Sequence, residues 1–461
     1  MEHKKEDFSE WYNEIIDISQ LTDKRYPVKG MNVWMPYGYS LMKNTDEMIR
    51  NKFYEDEYEE VMFPSLISRP MFEIEFEHIK GFEKELFWIT KGGRESLEED
   101  LAMRPTSEAA IYPMLKLWIR DHGDLPKRIF QIVQVYRYET KHTRPFIRSR
   151  DIHFIECHTA HETYDDSEEQ MDLHRREWDY FTKKLCLPYM EVRRPEWDKF
   201  PGAVYTIAFD TLMPSGRTLQ IGTIHEYGSN FSKNYDVKFA KEDGSSQYVN
   251  QTTFGMSERL IAAIVGIHGD DKGLILPPFV APTQVVIVPI SSADSRLESF
   301  VHEIESKVKA SGFRVIVDDN DNYTPGYKFN QWEMKGVPLR IEIGKREAES
   351  NTITVSLRTR KGRVKLNKDD TAELQNLLDE VENDLLNNAR KILMNGIDGI
   401  PNSGQESNIK TFIICDSEKC ARSIEARTEL DMMGHILTYG SKGRCEVCGN
   451  EGRTALFSRP Y

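Results

Sequence analysis

Long hydrophobic runs are missing from this 461-residue chain. Its most apolar stretch, Gly273 to Ile290, is broken by Pro277, Pro278, Pro282 and Pro289, too interrupted to cross a bilayer. The opening residues, MEHKKEDFSEW, have no apolar core, which argues against a secretory leader, so a cytoplasmic location is expected. No repeat in the roughly 20–50-residue range of solenoids is present, and no low-complexity tract. Basic charge is in deficit: 61 Lys and Arg against 75 Asp and Glu leave a net charge of -14. Such a chain is repelled from nucleic acid on average, so any contact with it needs a local basic patch. Cysteine is scarce, six in all, and a long acidic chain without a leader is expected in a reducing compartment where disulfides are rare. What remains, 39% apolar and 30% charged residues, fits a globular chain of about three domains.

The first part mixes helices with successive strands and is rich in aromatics. Tyr39 to Glu55 reads as an amphipathic helix running into a short strand, Glu60 to Pro64. Strands are expected at 129–138, 152–156, 205–210 and 218–222, the last two joined by the turn Met213-Pro-Ser-Gly216. Strands that follow one another without intervening helices predict an antiparallel sheet of α+β type. A boundary falls in the proline-rich segment Leu276 to Pro282. Beyond it the order β-α-β-α-β-β implies a compact α/β unit, followed by a helix over 371–395 with Gly396 as its stop. A linker is read at Asn402 to Asn408. The expected domains are therefore 1–277, 282–385 and 400–461.

Four stretches carry chemistry. In Arg104-Pro-Thr-Ser-Glu108, hydroxyls and a carboxylate precede a helix, and Thr106 or Ser107 fits an N-cap. Around Val135 to Arg150 five basic residues meet one acidic residue in a strand–loop–strand suited to gripping phosphate, with Arg137 and Glu139 on one sheet face. In Thr218 to His225, alternation predicts Gln220 on one face with Gly222, and Thr223 opposite with His225. Gly222 suggests close approach of a ligand or backbone. In Phe254 to Arg259, Ser257 reads as the cap of the next helix, and Arg259 opposes that helix's dipole, as a residue kept for an anion would.

Together these stretches resemble the class II aminoacyl-tRNA synthetases: the helix into Val61-Met-Phe-Pro64 is similar to their motif 1, Arg137-x-Glu139 to motif 2, and Gly255-Met-Ser-Glu-Arg259 to motif 3. Arg104 to Glu108, His158-Thr-Ala-His161, Phe200-Pro-Gly-Ala203, Gly216 to His225 and Asn230-Phe-Ser232 resemble the prolyl-tRNA synthetase family, and the resemblance runs to the last residue. Only 122 positions separate Arg137 from Arg259, which leaves no room for the editing insertion of the bacterial type, so the archaeal/eukaryotic type is implied. Two departures stand out: Cys157 where that family often has Gly, and Phe154 where Trp is common, both of which would alter the pocket wall.

The resemblance implies a class II antiparallel-sheet catalytic domain, an α/β anticodon-binding domain and a small C-terminal zinc-binding α+β domain. It implies that L-proline and ATP, with Mg²⁺, form prolyl-adenylate, and that the prolyl group then passes to the 3′ end of tRNA(Pro). Proline would be held by Thr106, Glu108, Arg137 and His225. ATP would be held by Arg137, Glu139, Arg148, Ser149, Gln220, Thr223, Ser257 and Arg259, with Arg137 and Arg259 catalytic. A homodimer through motif 1 is implied, and Tyr461 is expected to tuck back and help order the proline pocket.

The segment Arg340 to Lys368 carries nine Lys and Arg against three Asp and Glu, the local patch that the overall charge requires. Glu333, Arg340, Arg346 and Glu347 are the candidates to read the two guanines of a proline anticodon. Cys415-x4-Cys420 and Cys445-x2-Cys448, 24 residues apart, have the paired spacing of a closed four-thiolate zinc site. Two other readings stay open on residues alone. A synthetase paralogue that adenylates a small acid would not need the basic patch or the cysteine module. A non-catalytic tRNA-binding protein would not need the phosphate-binding arginines.

Overall fold

The computed structural model describes residues 1–76, 82–290, 295–397 and 409–461. The linker read at 402–408, and the boundary at 400, lie outside the described residues. Helix α1 (Pro36–Glu55) opens on a proline, which fits the first turn, and buries Leu41, Met42, Met48, Ile49 and Phe53 along one face. The strand that follows is only β1 (Glu59–Glu60), paired parallel to Ile129 and Phe130. Val61 N–H still donates to the Phe130 carbonyl at 2.9 Å, but beyond it the expected strand leaves the sheet, and Phe63 N–H donates to the side chain of Gln131 at 3.0 Å. Then come α2 (Glu108–Trp118), β2 (Lys127–Tyr136), β3 (Asp151–His161), α3 (Tyr164–Lys184) and β4 (Met190–Arg193). The first unit ends with β5 (Tyr205–Leu212), β6 (Thr218–Gly228), β7 (Asn250–Ser257) and α4 (Arg259–His268).

Helix α4 is apolar all round, and Leu260 to His268 are all buried. Helix α3 crosses the back of the sheet and stacks Trp178 on Phe209, 4.4 Å between ring centroids. A Cβ on Gly222 would lie 2.6 Å from the Trp178 ring. The glycine therefore accommodates that indole and, with the Gly255 carbonyl 3.3 Å from the same point, a neighbouring backbone, and it also lines the cleft on the front of the sheet.

The second unit comprises β8 (Val285–Pro289), α5 (Ser295–Ala310), β9 (Val315–Val317), α6 (Pro325–Met334), β10 (Leu339–Ile343), α7 (Lys345–Ser350), β11 (Thr352–Leu357), β12 (Val364–Asn367) and α8 (Glu373–Ile397). Its sheet order is β9-β8-β10-β11-β12, parallel at β9-β8-β10 and antiparallel beyond. Gly396 is buried inside α8 and is not its stop; a Cβ there would collide with Leu212 of β5. Close packing between the units, not helix termination, is what this glycine serves.

The last unit is β13 (Ile409–Ile414), α9 (Glu418–Thr428), β14 (Asp431–Ile436), β15 (Lys442–Arg444) and β16 (Glu451–Ser458). Its strands continue the sheet of the first unit. The order is β13-β16-β14-β4-β5-β6-β7-β3-β2-β1, with β15 on β16, eleven strands in all. The join pairs His435 with Arg193 and Ile436 with Val192, and Gly434, at φ +131°, is required because a Cβ would strike the Arg193 carbonyl. Among the described residues no helix is long and apolar enough to cross a membrane.

Candidate active site

The front of the central sheet forms a cleft of about 830 Å³. All eleven residues that the sequence pointed to for proline and ATP line it: Thr106, Glu108, Arg137, Glu139, Arg148, Ser149, Gln220, Thr223, His225, Ser257 and Arg259. One predicted arrangement is corrected. Phe209 faces Gly222 but Asp210 faces Gln220, so β6 carries an extra residue at Ile221. This bulge resets the alternation, so that Gln220, Thr223 and His225 all line the cleft while Gly222 turns back to Trp178.

At one end, Glu108 is buried and accepts hydrogen bonds from the Thr106 hydroxyl and, at 3.1 Å, from Tyr227 Oη. Tyr227 stacks parallel to His225, and Phe200 lies 4.7 Å from the same imidazole. His225 shares a hydrogen bond of 2.9 Å with Thr206 Oγ1. Burial, with His158 nearby, drops its pKa to about 3, so it is neutral at every physiological pH. The result is a small, aromatic-walled slot with one carboxylate.

Ser107 precedes α2 but makes no side-chain cap. Its hydroxyl is spent on Glu156, which also accepts from Gln131 Nε2 at 2.8 Å and contacts His158 Nε2 at 3.3 Å. Burial raises the Glu156 pKa, but these partners outweigh it and hold the carboxyl below its usual range. The sequence offers Glu156 only as the end of an expected strand and His158 only within a family segment; their signal is the period-2 placement of polar groups on β3, with Glu156 opposite Gln131 of β2.

Arg137 lies in the middle. Its Nε donates to the Pro105 carbonyl at 3.1 Å, and its guanidinium carbon sits 5.9 Å from the Phe154 ring. Burial lowers its pKa, while Glu85, Glu108 and Glu156 oppose the fall. Phe154 therefore does shape the cleft. Cys157, one residue out of phase with Glu156, belongs to the core behind the sheet and leaves the cleft wall untouched.

At the far end, Arg259 Nε donates to the Ile147 carbonyl at 3.0 Å and Nη1 to the Gln220 carbonyl at 3.2 Å. Burial and the neighbouring Arg137 and Arg148 cations bring its pKa down to about 10. Three crowded guanidinium groups favour an anion between them. Arg148 is held by Glu139, 2.9 Å away. Ser257 ends β7, and Glu258 takes the N-cap position of α4, so the predicted cap is displaced by one residue. Glu258 accepts from Ser149 Oγ at 2.7 Å and from the His153 N–H at 3.1 Å, and burial raises its pKa to about 7.

The wall near Phe200 comes from the last unit, which supplies Arg422, Glu425, Asp431, Met432, Met433 and Pro460. Nothing in the local sequence announces this, since it follows from the β4–β14 join. Tyr461 does fold back, its N–H on the Thr218 carbonyl at 3.0 Å and its hydroxyl 2.6 Å from Ser215 Oγ. It anchors at the β5–β6 turn, and only Pro460 reaches the cleft lining, so the expected contact with the proline end is not made.

In the second unit Glu333 and Arg340 share a separate cleft of about 550 Å³ with Arg358, Arg360 and Arg363. Arg340 lies over the Phe329 ring at 4.3 Å. Arg346 and Glu347 sit apart on α7, where Glu347 accepts from the Gly344 N–H at 3.0 Å and so caps its own helix. In the last unit the Cys415, Cys420, Cys445 and Cys448 sulfurs all lie within 4.8 Å of one another, with Cys415 and Cys448 at 3.7 Å. Four thiolates about 2.3 Å from a central zinc would be about 3.8 Å apart. The donor set fits that ion.

The family model for the "tRNA synthetase class II core domain (G, H, P, S and T)" matches residues 87–268, and that for the "Anticodon binding domain" matches 284–383. A proline–tRNA ligase of Thermoplasma volcanium is 57% identical over 100% of both chains. Among solved structures, Giardia lamblia prolyl-tRNA synthetase in complex with prolyl-adenylate superposes with a TM-score of 0.93 at 32% identity, covering 99% of each chain. Cryptosporidium parvum prolyl-tRNA synthetase complexed with halofuginone and AMPPNP gives 0.93 at 32% identity, covering 100% of this chain and 96% of the other.

Proposed function

This chain belongs to the proline–tRNA ligases, a family of class II aminoacyl-tRNA synthetases, and from that premise we propose how its residues divide the reaction. The activity is that of the family: L-proline is activated with ATP and joined to tRNA. The other two readings, a paralogue without tRNA and a non-catalytic binder, lose their footing on full-length identity to proline–tRNA ligases.

Proline takes the aromatic-walled slot. Its secondary ammonium meets Glu108, whose oxygens are oriented by the Thr106 and Tyr227 hydroxyls. Neutral His225 adds no repelling charge. The proline carboxylate then points to Arg137. ATP, entering as its magnesium complex, lies between Arg137 and Arg259, with Arg148, Ser149 and Ser257 along it, Glu139 at the base and Gln220 and Thr223 at the adenosine. A carboxylate oxygen bonds to the α-phosphorus as the bond to the pyrophosphate oxygen breaks. Arg137 lowers the repulsion between these two anions, an electrostatic and positional contribution. In the second step the tRNA 3′-terminal hydroxyl attacks the prolyl carbonyl and AMP leaves.

The observation that carries this division is the place of Arg137, between a slot with one carboxylate and an end with two further guanidinium groups. Arg137→Lys keeps the charge but loses the planar fork. We expect adenylate formation in single turnover to slow at least about a hundredfold, with proline and ATP affinities changed far less. A variant that formed adenylate at the native rate would remove Arg137 from the chemistry.

The finer points rest on chemistry and exposure. Glu333 and Arg340 are the better-placed pair for anticodon guanines, which charging of transcripts with those bases replaced would test. Zinc at the four cysteines would cross-link β13, α9 and the 445–448 turn, a structural role. A homodimer is favoured by the exposed apolar side chains of Tyr54, Met62 and Leu66 at the motif 1 segment, and sedimentation would detect it.

A further inference from the structure

Arg194, just past β4, lines the cleft without having been assigned to either substrate, and its guanidinium divides three ways. Its Nη2 donates to Gln220 Oε1 at 2.8 Å and lies 3.1 Å from the fully buried carboxylate of Asp210. Its Nη1 donates to the Met433 carbonyl of β14 at 2.8 Å. The side chain is 5% exposed, so this is a buried cation with a buried counter-ion.

A guanidinium has donors only. It therefore decides which end of the Gln220 amide faces it: the oxygen turns to Arg194 and the NH₂ is left toward the cleft. The same residue is tied at its backbone, since the Gln220 carbonyl accepts from Arg259 Nη1. The third arm reaches across to the last unit, where β14 pairs with β4 over two residues, His435 and Ile436. Orientation of Gln220 and docking of β14 thus share one side chain.

We propose that Arg194 is a positioning residue for adenylate formation, holding the Gln220 amide with its donors toward ATP and making that orientation depend on the docked C-terminal unit. This rests on Gln220 contacting the nucleotide, as proposed above. ATP–pyrophosphate exchange and thermal unfolding of the full chain test it with four variants: Gln220→Ala, Arg194→Met, the two combined, and Arg194→Met with Asp210→Asn. Gln220→Ala should raise the KM for ATP about tenfold, the size of one lost hydrogen bond. Arg194→Met should raise it comparably with the KM for proline within about twofold, and the double variant should be no worse than Gln220→Ala alone, the signature of one residue acting through the other. Asp210→Asn should restore the melting temperature lost by stranding a buried carboxylate, but not the KM for ATP. Additive penalties, an equal rise in the KM for proline, or recovery of the KM for ATP with Asp210→Asn would each overturn the proposal. An unchanged KM for ATP in Gln220→Ala would instead overturn the nucleotide contact on which it stands.

Discussion

Replacing Glu108 with Gln isolates the charge of the proline slot. Glu108 is 4% exposed, and both hydroxyls that bind it can rotate to suit an amide, so the fold should tolerate the change. Glu108→Ala would be a poorer test, because it leaves the Thr106 and Tyr227 hydroxyls without their acceptor and costs about 1–3 kcal/mol in stability for each stranded group. With Gln in place the secondary ammonium of proline loses a charged partner inside a slot closed by Phe200, His225 and Tyr227. A hydrogen bond to a charged group is worth about 1.5–3 kcal/mol, which is roughly a ten- to hundredfold change in binding. ATP–pyrophosphate exchange should therefore show the KM for proline raised by that factor and the KM for ATP within about twofold. The melting temperature should fall by no more than about 4 °C, the shift expected for ~1 kcal/mol in a domain of this size. An unchanged KM for proline, or an equal rise for both substrates, would refute the assignment of Glu108 to the ammonium.

Two further perturbations separate the metal and the titrating core. Cys448→Ser should lower zinc bound per chain, measured by atomic emission, and loosen residues 409–461 to proteolysis; native protein purified without any stoichiometric metal would refute the closed site. His268 lies buried at the end of α4 with Nε2 3.3 Å from the Leu185 carbonyl, and burial holds its pKa at about 4. A histidine with a depressed folded pKa stabilises the fold fully above its unfolded value of about 6.5 and loses that contribution as pH falls toward the folded value. Glu226 and Glu258, both raised to about 7 by burial, act in the opposite sense, their contribution fading as pH rises from about 4.5 through 7. His268→Gln should therefore reduce the acid-side slope of unfolding free energy by about 1 kcal/mol per pH unit between pH 5 and 6. Denaturant unfolding at those two pH values would show it, and an identical slope would contradict the buried neutral imidazole.

Much of this architecture was legible because local signals agreed with the global fold. Arg137 and Glu139, expected on a strand, follow just past the end of β2 yet line the cleft with Arg259 from the head of an apolar helix, and the doubled cysteine spacing brings four sulfurs together. Failures came where a single non-local contact outranked a local rule. The bulge at Ile221 shifts the parity of β6, and strict alternation had no means of finding an extra residue. Gly396 read as a helix stop but serves a close contact with a distant side chain, Leu212, and Gly222, read as a close approach of ligand or backbone, is also required by the distant Trp178 indole. The union of β14 with β4 pairs residues some 240 positions apart, so the C-terminal wall of the cleft was invisible to any window along the chain. Glu258 sat inside a quoted motif, yet its buried carboxyl and its link to Ser149 appear only once β3 and β7 lie side by side. Arg346 and Glu347 were chosen for guanine chemistry within the basic segment, and they lie on the short helix α7, outside the lining of the Arg340 cleft.

The central claim is that the slot bounded by Thr106, Glu108 and His225 selects proline, and that Arg137 joins it to ATP. ATP–pyrophosphate exchange with each of the twenty amino acids, in the absence of tRNA, addresses it most directly. The account predicts strong exchange with proline and weaker, measurable exchange with alanine and cysteine. A slot this small excludes larger side chains sterically but discriminates against a missing methylene or two by only about 1–3 kcal/mol. Strongest exchange with any amino acid other than proline would contradict it.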